Sequence, residues 1–507
     1  MHPGIHAATN GDQPAVILGD SGHVVTYGQL ERRSAQLANL LVTAGLRPGD
    51  HLAVMLENHP RYFEVFWAAM RAGLYLTPIN WHLKPDEAGY IIEDCGATAL
   101  VTSQALDGVV AELAPWLDQV SIRLAIDGDV DGFDRYERAL NSHPTNVAFD
   151  EVEGAIMFYS SGTTGRPKGI KPPMSGAPFG TMMPPLVALA QTMWKLSSNS
   201  VYLCPAPLYH AAPLGWSTAV QRLGGTVVVM ERFDAARALE LIERHRVTHA
   251  QFVPTHFVRM LKLTNEQRSE RDLSSLEVAI HAAAPCPVEV KEQMIRWWGP
   301  IVYEYYAGSE GNGFTAVGPE EWLEHRGTVG KALIGIIHIL DEDGNDVAVG
   351  ESGQVWFESP VRFEYHNDPD KTASVFNDRG WSTLGDVGYL DNEGYLYLTD
   401  RASHMIISGG VNIYPQEVEN VLALHPLVED VAIIGVPDPD MGEQVKAVVQ
   451  LTHGADPDQA TEDAILDFAR SRLSAFKCPR SVDFVDDLPR LPTGKLLKRE
   501  LRARYWV

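Results

Sequence analysis

The sequence predicts an α/β protein: two stacked α/β units, then an antiparallel, barrel-like region, then a small α+β domain at the C-terminal end. Three observations carry that expectation. Short apolar runs alternate with helical patterns in two separate stretches, turn-rich alternating segments follow Thr328, and a fresh strand and helix pattern begins after Asp400. At 507 residues the chain also exceeds what one hydrophobic core normally supports, so more than one domain is expected.

Taken in order, His51 to Glu57 is a short apolar run, Pro60 to Ala72 has helical spacing, and Leu74 to Ile79 is apolar again. Pro85 to Asp94 reads as a helix and Ala97 to Thr102 as a third strand. Strands that alternate with helices at this spacing imply parallel sheet covered by helices. The grammar returns with strands at Gly225 to Met230, Val247 to Val253 and Leu276 to Ile280, and helices at Ala235 to His245 and Val288 to Trp298. Two α/β units are therefore expected, not one sheet. From Thr328 to Glu358 the Asp343-Gly344 turn signal between alternating runs, among them Gln354 to Phe357, predicts antiparallel pairing. Beyond Asp400 the expected elements are strands near Val431 to Val436 and Val445 to Leu451 and a helix over Thr461 to Leu473. A hinge is expected between Asp400 and His404, dividing the chain into domains 1–401 and 402–507.

Composition narrows the classes. Apolar residues at 45% and charged residues at 21% are those of a globular protein, and no run approaches the roughly 20 apolar residues of a membrane span. Met1 to Asn10 lacks a basic segment leading into an apolar run, so a cytoplasmic location is the expectation. Cys95, Cys204, Cys286 and Cys478 are far apart, without metal-ligand spacing, and read as reduced, packed residues. A formal charge of −25 opposes nucleic-acid binding, although local loops can still bind phosphate.

The strongest chemical signal is Tyr159-Ser160-Ser161-Gly162-Thr163-Thr164-Gly165-Arg166-Pro167-Lys168-Gly169. Glycines let the backbone approach phosphate oxygens, hydroxyls and amides donate hydrogen bonds, and the lysine brings a mobile positive charge. A flexible turn is the bland alternative. A P-loop requires Gly-Lys-Ser/Thr entering a helix, whereas Lys168 lies between Pro167 and Gly169.

This string resembles the phosphate loop of the adenylate-forming superfamily of acyl-CoA synthetases, firefly-type luciferases and nonribosomal adenylation domains. Further matches follow in family order: Pro207 to His210, Tyr305 to Gly311, Ser382 to Asp386, Asp400-Arg401, Ser408 to Pro415 and Pro492 to Lys495. The resemblance spans nearly the whole chain and implies a large N-terminal domain of two stacked α/β subdomains plus a distorted antiparallel β-barrel, with a small mobile α+β C-terminal domain. It also implies an ATP-dependent acid–thiol ligase that forms an acyl-adenylate, passes the acyl group to coenzyme A and releases AMP and pyrophosphate.

Site residues follow from the same resemblance. Ser160, Ser161, Gly162, Thr163, Thr164, Gly165 and Lys168 would hold the phosphates, and Ala284, Pro285, Tyr305, Tyr306, Ala307 and Gly308 the adenine region. Tyr306 would stack on adenine, Ser309 approach the α-phosphate, and Glu310, with Thr163, hold Mg²⁺. Asp386 would accept from the ribose hydroxyls, Arg401 support ribose or phosphate, and Lys495 bridge the acyl carboxylate and α-phosphate. Read alone, Tyr305-Tyr306 is strand packing, Asp386 a solvated cap and Lys495 surface charge; their context changes the reading. His210, Ala211, His281, Ala282 and Ala283 are expected at the acyl group, where small residues leave room for a fatty or bulky alicyclic or steroid side-chain acid. Tight packing would also explain the alanines, and aryl acids are the second choice of substrate. Ser408, Gly409, Gly410, Phe476 and Lys477 are expected to contact coenzyme A.

Departures from the family pattern fall in the C-terminal part. Ser403 occupies the hinge position where many relatives carry Asp or Lys, and Ile407 stands where some carry a nucleotide- or coenzyme-binding lysine. A hinge needs backbone torsion more than charge, so Ser403 remains the expected pivot. Loading of a carrier protein in place of coenzyme A is the alternative acceptor, and the resemblance allows a homodimer.

Overall fold

Continuous apolar runs become parallel strands buried on both faces, and His51–Val54 is such a strand, with every residue buried. The computed structural model describes residues 1–160, 167–401, 404–408, 411–490 and 496–506. The described residues form two units. One comprises Met1–Phe252, Leu263–Ala279 and Phe363–Ala373, the other Val253–Lys262, Ile280–Arg362 and Ser374–Val507.

In the first unit, His51–Val54 pairs in parallel with Tyr75–Pro78 on one side and Ala97–Ser103 on the other, and the latter pairs in parallel with Ile122–Ile126. A second set of parallel strands runs His249–Phe252, Val201–Cys204, Thr226–Val229 and Pro14–Leu18, with Val24–Thr26 antiparallel at its edge. Helices lie between these sets and touch one another. Trp67, on the Arg61–Arg71 helix, donates to Gln221 Oε1 on the Ala211–Leu223 helix at 2.7 Å, and the Tyr27 hydroxyl donates to the Gly225 carbonyl at 2.7 Å. Arg61–Arg71 is buried at every position from Tyr62 on, which explains its dense aromatic content. Trp67 is 1% exposed, so Trp67→Ala would cost about 3–5 kcal/mol. Arg71 can be buried there because Glu31 and Glu151 each accept from it at 2.6 Å.

In the second unit the antiparallel expectation holds. Val302–Ala307 pairs with Phe314–Val317, and that strand with Lys331–Ile334, each antiparallel. Ile336–Leu340, Gly353–Glu358, Asp386–Leu390 and Leu396–Arg401 form a separate antiparallel set. Its Asp343-Gly344 turn works because Asp341 Oδ1 accepts from the backbone of Asp343 and Asn345 at 2.9 and 2.8 Å, and Gly344 takes φ +79°.

The last sheet draws its strands from residues 406–485. Val428–Asp438 and Gly442–Leu451 are antiparallel, Ser481–Val485 is parallel to the second of these, and Ile406–Ser408 with Val411–Ile413 completes it. Its core includes Val418, Leu422, Ile433, Val449 and Ile465. Thus the chain is mixed α/β with a large N-terminal and a smaller C-terminal domain. The expected helix over Thr461 to Leu473 is Gln459–Arg470, shifted because Asp458 caps it by accepting from the Thr461 amide at 2.9 Å.

Candidate active site

The phosphate-loop motif is carried on a hairpin of the first unit. Phe158–Ser160 and Lys168–Ile170 are antiparallel, with Lys168 directly opposite Ser160 and Gly169 opposite Tyr159. Ser161, Gly162, Thr163, Thr164 and Gly165 lie outside the described residues. Their flanks are firmly held. The Tyr159 hydroxyl donates to Asp94 Oδ2 at 2.6 Å, and the His366 amide donates to the Gly169 carbonyl at 2.7 Å. A Cβ at Gly169 would meet Met157 Cε at 2.4 Å and Tyr159 Cζ at 2.9 Å, so a side chain there would displace Tyr159. Lys168 is half-buried, with its ammonium 5.5 Å from the Tyr365 ring centroid.

His210 occupies the N-cap position of the Ala211–Leu223 helix, half-buried, with its ring 4.4 Å from that of Tyr209. Ala211, also half-buried, is the first helical residue. Sequence reasoning missed what holds this turn. Asn58, 8% exposed, accepts from the Leu208 amide at 2.8 Å and donates to the carbonyls of Met230 at 2.8 Å and Ala206 at 3.2 Å. An Asn followed by His-Pro carries no signal for such a distant contact.

In the second unit, Tyr305 is buried and stacked on Phe314, centroids 5.0 Å apart and planes 11° apart. Tyr306 faces the other way, as strand alternation requires, and its hydroxyl donates to Asp386 Oδ2 at 2.6 Å. Ala307, Gly308 and Glu310 are half-buried and Ser309 is exposed. The Glu310 carboxylate folds back over Gly308, whose Cβ would meet Glu310 Oε2 at 2.9 Å and Leu384 Cδ1 at 2.2 Å. Asp386 is 7% exposed and opposes Arg401 across its strand pair. Asp400, next to Arg401, accepts from the Gln416 amide at 3.0 Å and so ties that strand to the Pro415–Leu422 helix.

The segment after the Val278–His281 strand is strained. Ala282 is buried, Ala284 half-buried, and Ala283 and Pro285 exposed, while Ala283 has φ +74°, unusual for a residue with a Cβ. His281 is 0% exposed, with Nε2 3.3 Å from Glu304 Oε2 but neither ring nitrogen in hydrogen-bond geometry among the described residues, and Glu304 Oε2 accepts from Lys291 Nζ at 2.6 Å. Burial raises the Glu304 carboxyl, but the Lys291 ammonium outweighs it and holds it well below the usual carboxylate range. Burial likewise lowers the Lys291 ammonium and the His281 imidazole, so the cluster is an ion pair beside a neutral histidine.

Of the residues expected at coenzyme A, Ser408 is buried, Phe476 is 53% exposed, and Lys477 donates to both carboxylate oxygens of Glu417 at 2.6 and 2.8 Å. Ser403, Gly409, Gly410 and Lys495 lie outside the described residues, as does the Arg401 side chain. Among the described residues no group of three His, Cys, Asp or Glu side chains is placed to hold a metal. The chemistry of Glu310 still fits Mg²⁺, since Mg²⁺ keeps several waters and takes only one or two carboxylates. Asn312, two residues on and 1% exposed, has both amide atoms free of hydrogen bonds from the described residues, which leaves polar capacity next to Glu310. No helix among the described residues is long and apolar enough to cross a membrane.

A family model described as AMP-binding enzyme matches residues 5–364, and one described as AMP-binding enzyme C-terminal domain matches 417–495. The chain is 35% identical over 495 residues to a feruloyl-CoA synthase of an Amycolatopsis species, covering 97% of this chain and 96% of that protein. It is 31% identical over 499 residues to a long-chain-fatty-acid–CoA ligase of Mycobacterium tuberculosis, covering 95% and 93%. Among solved structures, ATP-bound MatB from Rhodopseudomonas palustris superposes with a TM-score of 0.80 at 28% identity, covering 100% of this chain and 99% of that one.

Proposed function

The chain belongs to the family of AMP-binding enzymes, and from that premise we propose that it is an ATP-dependent acid:coenzyme A ligase working through an acyl-adenylate. The observation that carries this reading is the Tyr306–Asp386 hydrogen bond of 2.6 Å, which brings two motifs 80 residues apart into one arrangement. An aromatic face beside a carboxylate suits an adenine joined to a ribose.

Ser160 to Gly165 and Lys168 hold the phosphates, Tyr306 covers the adenine, Asp386 and Arg401 take the ribose, and Ser309 meets the α-phosphate. A carboxylate oxygen of the acid attacks the α-phosphorus, the bond to the bridging oxygen breaks, and pyrophosphate leaves with the electron pair. Lys168 stabilises the leaving group and Lys495 aligns the two reactants where negative charge accumulates. Glu310 and Thr163 would hold Mg²⁺, which would supply charge neutralisation at the phosphates. The 402–507 domain then turns about Ser403 against the barrel-like part of the N-terminal domain, withdrawing Lys495. Ser408, Gly409 and Gly410 line a pantetheine channel, Phe476 and Lys477 meet the coenzyme, and its thiolate attacks the acyl carbonyl, expelling AMP.

The acid is a fatty or bulky alicyclic or steroid side-chain acid, the reading supported by the small Ala282, Ala283 and Ala284 and by the fatty-acid ligase among the relatives. An aryl acid is the second reading, favoured by the 35% identity to a feruloyl-CoA synthase. A panel of carboxylic acids, with AMP release measured in the presence of free coenzyme A or of a phosphopantetheinylated carrier protein, tests both substrate and acceptor. Coenzyme-dependent AMP release with an alicyclic or fatty acid is the expected result; release only with a carrier protein would overturn the choice of acceptor.

A further inference from the structure

We propose that Lys291 and Glu304 are positioning residues of the nucleotide site, a buried ion pair that fixes the strained Ala282–Ala284 turn and the Tyr305–Tyr306 strand in one register through His281. The inference rests on the function proposed above and adds Lys291 and Glu304, which no motif of the family reading uses.

Glu304 lies on the Val302–Ala307 strand two residues before Tyr306, so both side chains point to the same face of that strand. His281 ends the neighbouring Val278–His281 strand and is followed at once by the Ala282–Ala284 turn. Lys291 comes from the Val288–Trp298 helix, the next element of the chain. The Glu304 carboxylate thus sits at the meeting point of three elements, 2.6 Å from Lys291 and 3.3 Å from His281. Its partners are themselves packed against aromatic rings. Lys291 is 0% exposed with its ammonium 4.6 Å from the Trp322 ring centroid, Phe257 packs edge-on against His281 at 5.4 Å, and Cys286 is the other titratable group facing the pair.

Burying a lysine and a glutamate is not an efficient source of stability, because desolvation offsets most of their attraction. Such pairs do specify geometry. Here the geometry is unusual: Ala283 at φ +74° persists only if its flanks are over-determined, and the flank on one side is His281. A misplacement of this turn by a fraction of an ångström would reach Tyr306 and the acyl carboxylate together, whereas loss of folded protein would reduce active sites without altering the affinity of those that remain.

The paired variant Lys291→Met/Glu304→Gln removes both charges while keeping volume, and His281→Asn keeps the ion pair but removes the ring. Both are compared with the parent enzyme by thermal melting, by calorimetric titration with AMP and by acid-dependent ATP–pyrophosphate exchange. We expect the paired variant to melt cooperatively, with KM for ATP and Kd for AMP raised about tenfold, and His281→Asn to raise both about threefold with KM for the acid unchanged. A cooperatively folded paired variant with both constants within twofold of the parent would overturn the proposal. Should that variant not fold, His281→Asn decides: a change in acid KM alone would make His281 an acyl-pocket wall and overturn it. A parent that binds AMP but exchanges with no acid would refute the ligase reading, while the AMP affinities still decide the role of the pair.

Discussion

The phenol of Tyr306 donates to the carboxylate of Asp386 at 2.6 Å, so the residue expected over adenine holds the residue expected at the ribose. Hydrogen bonds to a charged partner contribute about 1.5–3 kcal/mol. Tyr306→Phe is expected to keep the ring and lose the restraint, raising KM for ATP about three- to tenfold. Asp386→Ala removes the carboxylate proposed to accept from the ribose and should lower kcat/KM for ATP about a hundredfold. Steady-state kinetics with ATP as the varied substrate checks both, and equal effects would show that Tyr306 acts only through Asp386.

Much of this fold is legible in the sequence because its periods are unambiguous. Pro85–Asp94, Ala235–His245 and Val288–Trp298 are helices with the bounds their spacing implies, each opened by a proline or a capping residue beside it. Strand ends are less legible, as with Val247 to Val253, where the strand is His249–Phe252 and its C-terminal end stops short because Pro254 starts the next helix. The motifs locate residues such as Asp386, whose conversion from a turn acid to a buried partner of Tyr306 is a tertiary effect. What the sequence hides is the support. Asn58, Lys291 and Glu304 act through contacts with distant or ordinary-looking residues, and His281, read at the acyl group, lies wholly buried against Glu304.

The two half-reactions should separate genetically. Lys495→Ala is expected to reduce adenylate formation by about two orders of magnitude or more while largely sparing thioester formation from supplied acyl-AMP. Gly410→Leu should show the opposite bias, as expected of a residue proposed to line the pantetheine channel. Rapid-quench assays of each half-reaction provide the check, and equal loss of both for Lys495→Ala would contradict the division of labour.

Acid stability follows from the cluster around Glu304. Its carboxyl is held well below the ordinary 4.5 by the Lys291 ammonium, so as pH falls the unfolded chain binds a proton before the folded chain does. That contribution is fully present above pH 4.5 and is lost as pH falls through the lowered folded value. The lowered His281 acts in the same direction, beginning as pH falls below 6.5. Urea unfolding at stepped pH should therefore show a smaller acid-dependent loss of stability for Lys291→Met/Glu304→Gln than for the parent between pH 4.5 and 3.

Thiol chemistry should be silent in the native enzyme. Burial pushes Cys95 up to about 12 and Cys204 up to about 11, and it also raises Cys286 and Cys478. Titration with a chromogenic disulfide at pH 8 is expected to release little colour from the folded protein and the equivalent of four thiols after denaturation. Rapid native reaction of one equivalent would mark Cys286, the half-buried member of the set.

Pyrophosphate exchange reaches the first chemical step without dependence on the acyl acceptor. Purified enzyme given Mg²⁺, ATP, labelled pyrophosphate and a broad set of fatty, alicyclic and aryl acids is predicted to return label to ATP only when an acid is present, and to lose that exchange in Lys495→Ala. Exchange that is absent with every acid, or that proceeds equally without one, would contradict the account.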